Sequence, residues 1–280
     1  MKGVLSSLFA ASFVVALLSG CGSGNNKGNQ PNSGIDKANV QIKDDTLKGF
    51  MLAGVYFVQG YGGADKFESK LKSLINQDRS QSPFLTLLDS AYHKTMVFPF
   101  GRSAGEKVDS RNTLSNWFQI ANQHDFFLFL NNLKDSGFQA HYEACRKVLD
   151  ANGGKNANIS SINLQTNNLP EGSDILLKFV KDNYDKFSPA GIKAWNIGLY
   201  VYIVNLGYSA EYIDPINAKS LVIEQLKTAQ EKYNDWSTYF SDFMLGREFS
   251  GVEKSQNEVY KAAIKGMLSG HYSMYTYMPM

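Results

Sequence analysis

The sequence predicts an all-α fold: a single multi-helix globular domain over residues 44–280, standing behind a signal peptide and a disordered tether. Three observations carry that expectation. Apolar residues recur three and four apart through the body of the chain, Ser-Pro and Asp-Pro pairs stand where helices would open, and no convincing stretch alternates apolar and polar as a half-buried strand does.

The elements follow in order. Lys2 gives a short positive start and Val4 to Leu18 form an apolar run. A permanent span needs about 20 residues, so this shorter run ending in small residues reads as a cleavable signal, residues 1–20. Leu18-Ser19-Gly20-Cys21 resembles the bacterial lipobox. The resemblance implies cleavage before Cys21 and acyl chains on its thiol and new amino terminus, so Cys21 is the lipidation site and the membrane is a partner. Each buried methylene contributes about 0.8 kcal/mol, and two or three chains hold where one holds marginally. Gly22 stands where lipoproteins retained at a Gram-negative inner membrane carry Asp, which implies outer-membrane sorting if the source is Gram-negative. Residues 22–43, dominated by Gly, Ser, Asn, Gln and Lys, cannot bury enough surface to order themselves. As a coil they would span roughly 25 Å.

Residues 44–280 are long and apolar enough for a large core. Once Cys21 is acylated, Cys145 has no partner for an intramolecular disulfide. Without residues 1–20 the chain carries 27 basic and 26 acidic residues, and no basic stripe points to nucleic acid. Leu47, Met51, Val55 and Phe57 mark a first helix after Asp44 and Asp45; Phe67, Leu71 and Leu74 mark a second; Phe84 to Leu88 suit a third behind Ser82-Pro83. Another helix follows Ser110 with Leu114, Trp117 and Ile120 on one face. Phe126, Phe127, Leu130 and Leu133 form the next, with Gly137 as its stop, and Tyr142, Val148 and Leu149 the one after. Residues 152–172 are rich in Asn, Gly and Ser and read as a mobile loop or a boundary between halves.

Ser188-Pro189 predicts a helix start, and Ile192 to Leu206 is apolar on nearly every face, the pattern of a central buried helix. Asp214-Pro215 opens the next helix, with Ala218, Leu221, Val222, Gln225, Ala229 and Tyr233 on one face. Trp236, Phe240, Phe243 and Met244 continue at helical spacing, and Val259 to Leu268 draw a last amphipathic stripe. The tail 271–280 holds more Tyr and Met than a solvated terminus needs. It either covers the domain's own core or docks on a partner protein.

Residues 194–214 and 218–249 resemble the bacterial domain of unknown function 1266 family. Trp195, Gly198, Gly207, Tyr208, Ala218, Trp236, Phe240, Gly246, Arg247 and Phe249 match its pattern, and Leu114, Trp117, Ile120, Leu133 and Gly137 resemble its upstream part. The similarity covers roughly residues 110–250. Asn196 departs from the family's acidic residue after the tryptophan, and an arginine is missing from Gly198-Leu199-Tyr200. If those two pair in relatives, this chain has dropped both, which leaves no charge unpaired. The family implies a fold and no reaction.

His141 and Cys145 are four apart and share a helix face, but two ligands do not make a site. His93, His124 and His271 stand isolated, and no hydrolase, zinc-protease or phosphate-loop motif occurs. No cofactor and no metal is expected. Two function classes follow. The first is a membrane-anchored envelope lipoprotein whose helical body binds a protein or envelope component without catalysis. The alternative is an envelope hydrolase with its acid or base among Glu231, Asp235, Asp242 and Glu248, near Arg247.

Overall fold

A computed structural model describes residues 44–77, 82–135, 137–252 and 254–280; the predicted signal peptide, Cys21 and the tether lie outside the described residues. Every regular element among the described residues is helical: α1 Asp45–Met51, α2 Gly54–Gly60, α3 Ala64–Gln77, α4 Phe84–Met96, α5 Ala104–Phe118, α6 Gln123–Asp135, α7 Gly137–Ala151, α8 Ser173–Asp182, α9 Lys193–Ser209, α10 Pro215–Gln230, α11 Trp236–Phe249 and α12 Lys254–Ser269. The all-α expectation holds. None of these helices is long and apolar enough to cross a membrane.

Helix α9 is the axis of the fold. It packs against α5, α6, α10 and α11, and nearly all of its side chains are buried, as its uninterrupted apolar pattern requires. Two of its glycines permit the close approach. A Cβ on Gly198 would stand 2.8 Å from the Phe243 ring, and one on Gly207 would stand 2.2 Å from the Phe126 ring. Helices α12, α3, α4 and α2 form a second tier, while α7 and α8 enclose a smaller core of Tyr142, Cys145, Leu149, Leu177, Val180 and Phe249.

Four local expectations need correction. The first apolar stripe is two helices, because α1 stops at Met51 and α2 restarts at Gly54. The break leaves the Met51 and Leu52 carbonyls without their usual partners in the helix, and two distant tyrosines supply donors instead. Tyr275 Oη donates to Met51 O at 2.7 Å and Tyr239 Oη to Leu52 O at 3.0 Å.

Helix α5 begins at Ala104, well before Ser110, because Ser103 and Glu106 form a capping box. The Ser188-Pro189 pair does not open α9. The chain turns first through Gly191 in the left-handed region at φ +64°, where a Cβ would strike the Tyr142 ring, and α9 starts at Lys193. Residues 152–172, expected as a mobile loop or a boundary, wind through two short 3₁₀ turns and bury Ala157, Ile162 and Leu169 in the smaller core.

Asp214-Pro215 behaves as predicted, with the Asp214 carboxylate accepting from Ile216 N at 2.9 Å and Asn217 N at 3.0 Å. Gly137 both follows the end of α6 and opens α7. The tail folds back on its own domain: Met274, Tyr275 and Met278 are buried in the main core.

Candidate functional site

The segment that resembles the family most closely leads inward. Gly246 sits where any Cβ would collide with Trp195 Cβ, so α11 lies directly on α9. The next residue, Arg247, is thereby carried into the core and is 0% exposed. Its Nε donates to Asn257 Oδ1 at 3.1 Å, and its guanidinium carbon stands 3.5 Å from the centre of the Tyr260 ring and 5.5 Å from that of Trp195. Tyr56 closes the box, stacked on Tyr202 at 4.5 Å and edge-on to Phe243 and Tyr260.

Four buried polar atoms in this aromatic box have no partner in good hydrogen-bond geometry, both Nη atoms of Arg247, Trp195 Nε1 and Tyr56 Oη, although the guanidinium lies close enough to the Tyr56 and Tyr260 hydroxyls to act on both phenols. Burial pushes the Tyr56 and Tyr260 phenols up, and the Arg247 charge partly offsets it. A buried donor left wholly unsatisfied costs about 1–3 kcal/mol, so the approach of the Arg247 nitrogens to the tyrosine hydroxyls sets what this polar centre costs an apolar core.

The acidic residues near Arg247 do not gather around it. Among the described residues no carboxylate lies within ion-pair distance of its guanidinium. Glu231 is exposed. Asp235 caps α11 by accepting from Thr238 N at 2.7 Å, and Glu248 pairs with Lys261 at 3.0 Å. Asp242 is buried, accepts from Ser188 N at 3.2 Å and takes a short bond from Ser188 Oγ. Burial raises its carboxyl, and the Ser188 and Tyr233 hydrogen bonds oppose that shift.

Two clefts open on the surface. One, about 540 Å³, is lined by Tyr142, Glu143, Arg146, Asp150, Phe187 and Ser188. Arg146 is held there over the Tyr184 ring at 3.5 Å and against Asp150 at 3.2 Å. The other, about 440 Å³, lies among Arg111, Asn112, Ser115, Asn122, Gln123 and Tyr212.

The histidines divide. His141 is half-buried one turn before Cys145, whose thiol is buried and pushed up to about 11, a protonated and unreactive state at neutral pH. His124 is exposed and His271 stacks on Phe84 at 5.3 Å. His93 is not isolated: its Nε2 is 2.6 Å from Asp44 Oδ2, and Asp89 lies beside both. Asp89 and His93 are four apart on α4, a spacing readable in sequence, but the sequence gives no sign that Asp44 joins them.

The remaining motif residues have packing roles where their contacts are described. Trp195, Trp236, Phe240 and Phe249 are buried, and Trp117 is half-buried. Tyr208 is half-buried, stacked on Phe98 at 3.9 Å and covered by Arg102 at 4.1 Å. Tyr56 and Asn257, two members of the Arg247 box, escaped sequence reading because nothing in their local spacing sets them apart from other core-facing helix positions.

An all-helical domain wound on a buried central helix, with a glycine seat for a tryptophan and a buried arginine beside it, is the class that these features define. The chain belongs to the family described as Protein of unknown function (DUF1266), whose model matches residues 113–280. The match runs beyond residue 250 and takes in α12 and the tail. No curated protein and no solved structure matches the chain.

Proposed function

We propose that this is a lipid-anchored protein of the bacterial envelope whose helical body binds a protein or envelope component without catalysing a reaction. One observation carries the reading of the body: Trp195, Trp236, Phe240, Arg247 and Phe249, the side chains that mark the family, are turned into the core, and among the described residues no carboxylate pairs with Arg247. What the surface offers instead is clefts edged by arginines and aromatic rings, with Arg111 and Tyr212 in one and Arg146, Tyr142 and Phe187 in the other. Arginine and aromatic residues are the types that binding surfaces favour. The anchor rests on the lipobox resemblance at Cys21, followed by a tether long enough to hold the body off the lipid.

Metabolic labelling with an alkyne fatty acid tests the anchor: wild type should be labelled and Cys21→Ser should not. A photo-crosslinking residue at Arg111 or Arg146 tests the body, and discrete crosslinked envelope species from either position are the expected result.

A specific observation keeps the hydrolase reading in view: Ser188, on the wall of a cleft, bonds to the buried Asp242. Turnover of chromogenic ester or glycoside substrates by the purified chain, abolished by Asp242→Asn, would replace the binding reading.

A further inference from the structure

Two carboxylates and an imidazole converge where the described chain begins. Asp44 is the N-cap of α1, with Oδ1 accepting from Leu47 N at 2.8 Å and Oδ2 turned to His93 Nε2 at 2.6 Å. Asp89 and His93 share a face of α4, and α4 packs on α1. One donor atom from each of the three lies within 4.8 Å of the others.

A second observation points to a ligand. Asp89 Oδ1 is fully occluded and has no hydrogen-bond partner. Asp44 and Asp89 are thus brought together with no lysine or arginine paired to either among the described residues. A His93–Asp44 hydrogen bond explains two of the three side chains and leaves Asp89 unexplained.

We propose that Asp44, Asp89 and His93 bind a divalent cation of the zinc class. The donor set selects the ion. An imidazole nitrogen with carboxylate oxygens suits a borderline cation, whereas calcium takes six to eight oxygens and magnesium keeps most of its water. Three protein ligands are the usual complement of an open zinc site, with the fourth position left to water or to a partner's donor. Bound zinc sets tetrahedral donors about 3.4 Å apart, so donors that lie within 4.8 Å of one another would draw closer by side-chain rotation as the ion binds. The cation enters between His93 and Asp44 and releases the proton that bridges them. Asp44 and His93 remain partly exposed, which leaves a path from solvent.

The position gives the ion a mechanical role. It ties the first turn of α1 to α4, so binding stabilises the docking of these two helices against each other.

Isothermal titration of zinc chloride into the full chain in detergent, with melting curves alongside, tests this. One equivalent should bind and raise the melting temperature. Asp89→Asn and His93→Gln should each weaken binding by at least about tenfold. Asp89→Asn is isosteric and removes a half-buried carboxylate that no lysine or arginine pairs with among the described residues, so its metal-free melting temperature should not fall while its zinc-induced rise disappears. Absence of saturable binding, undiminished affinity in a folded Asp89→Asn, or displacement of zinc by equimolar calcium would each overturn the proposal.

Discussion

The Trp236 indole donates from Nε1 to the carbonyl oxygen of Met278 at 2.8 Å, a bond between the first residue of α11 and the third from the end of the chain. Around it Trp236 packs edge-on to Tyr275 at 4.9 Å, and Tyr275 in turn reaches Met51 O at the break between α1 and α2. A family-motif tryptophan therefore holds the tail, and the tail holds the N-terminal helices. The tail is a structural part of the domain, which agrees with a family match that runs to residue 280.

Deleting residues 271–280 removes the buried Met274, Tyr275 and Met278. Truncations of buried side chains cost about 2–5 kcal/mol each, so the sum approaches the whole stability of a typical domain. The truncated chain is expected to be unfolded or to melt at least about 15 °C lower. Tyr275→Phe should cost only about 1–3 kcal/mol, the penalty for leaving Met51 O unsatisfied. An unchanged melting temperature for the truncated chain would show that the tail does not support the fold.

The helices with one clear apolar stripe were legible in the sequence, as was α9, because their burial follows from local spacing. The start of α5 was also legible, since Ser103 and Glu106 stand at the spacing of a capping box, a signal overridden by the apolar residues further on. The break at Leu52 and Ala53 was not. Its carbonyls are satisfied by Tyr239 and Tyr275, 187 and 224 residues away from their acceptors, and local propensity carries no trace of such partners. The Arg247 box failed to show for the same reason: it draws on α2, α9, α11 and α12, and no single stretch of chain contains its pattern.

Gly246 should be among the least replaceable small residues. Its Cβ would collide with that of Trp195 and stand 3.2 Å from that of Ile192, and neither is the yielding end of a long side chain. Gly246→Ala is expected to cost about 1–3 kcal/mol through forced separation of α9 and α11. Gly105→Ala, in α5 with open space around it, should be neutral or stabilising by up to about 1 kcal/mol. Urea midpoints of the two variants decide the matter, and equal midpoints would mean that α9 and α11 are not in such close contact.

Arg247 separates charge from volume. The guanidinium is buried and only its Nε makes a well-formed hydrogen bond, so an apolar side chain of similar length should keep the packing and remove the desolvation cost. Arg247→Met is expected to lie within about 1 kcal/mol of wild type or to be more stable, whereas Arg247→Ala should lose about 2–5 kcal/mol to the cavity. If Met proves as damaging as Ala, the guanidinium makes a net favourable contribution. A stable Met variant would leave a motif arginine that stability alone does not account for, and would direct attention to what the body binds.

Asp242 gives a pH dependence of definite sign. Burial raises its carboxyl above the usual range, with Ser188 and Tyr233 opposing. The folded state therefore binds more protons than the unfolded one between about pH 3.9 and the raised value, and stability contributed by this group falls as pH climbs through that window. Asp242→Asn cannot ionise and loses the effect. Between pH 4 and 7 the wild-type urea midpoint is expected to fall relative to that of the variant, and parallel curves would count against a raised carboxyl. A relative gain of the wild type with rising pH would mean that the two bonds from Ser188 outweigh the desolvation, so that the buried carboxylate rather than the carboxylic acid is the form that the fold prefers.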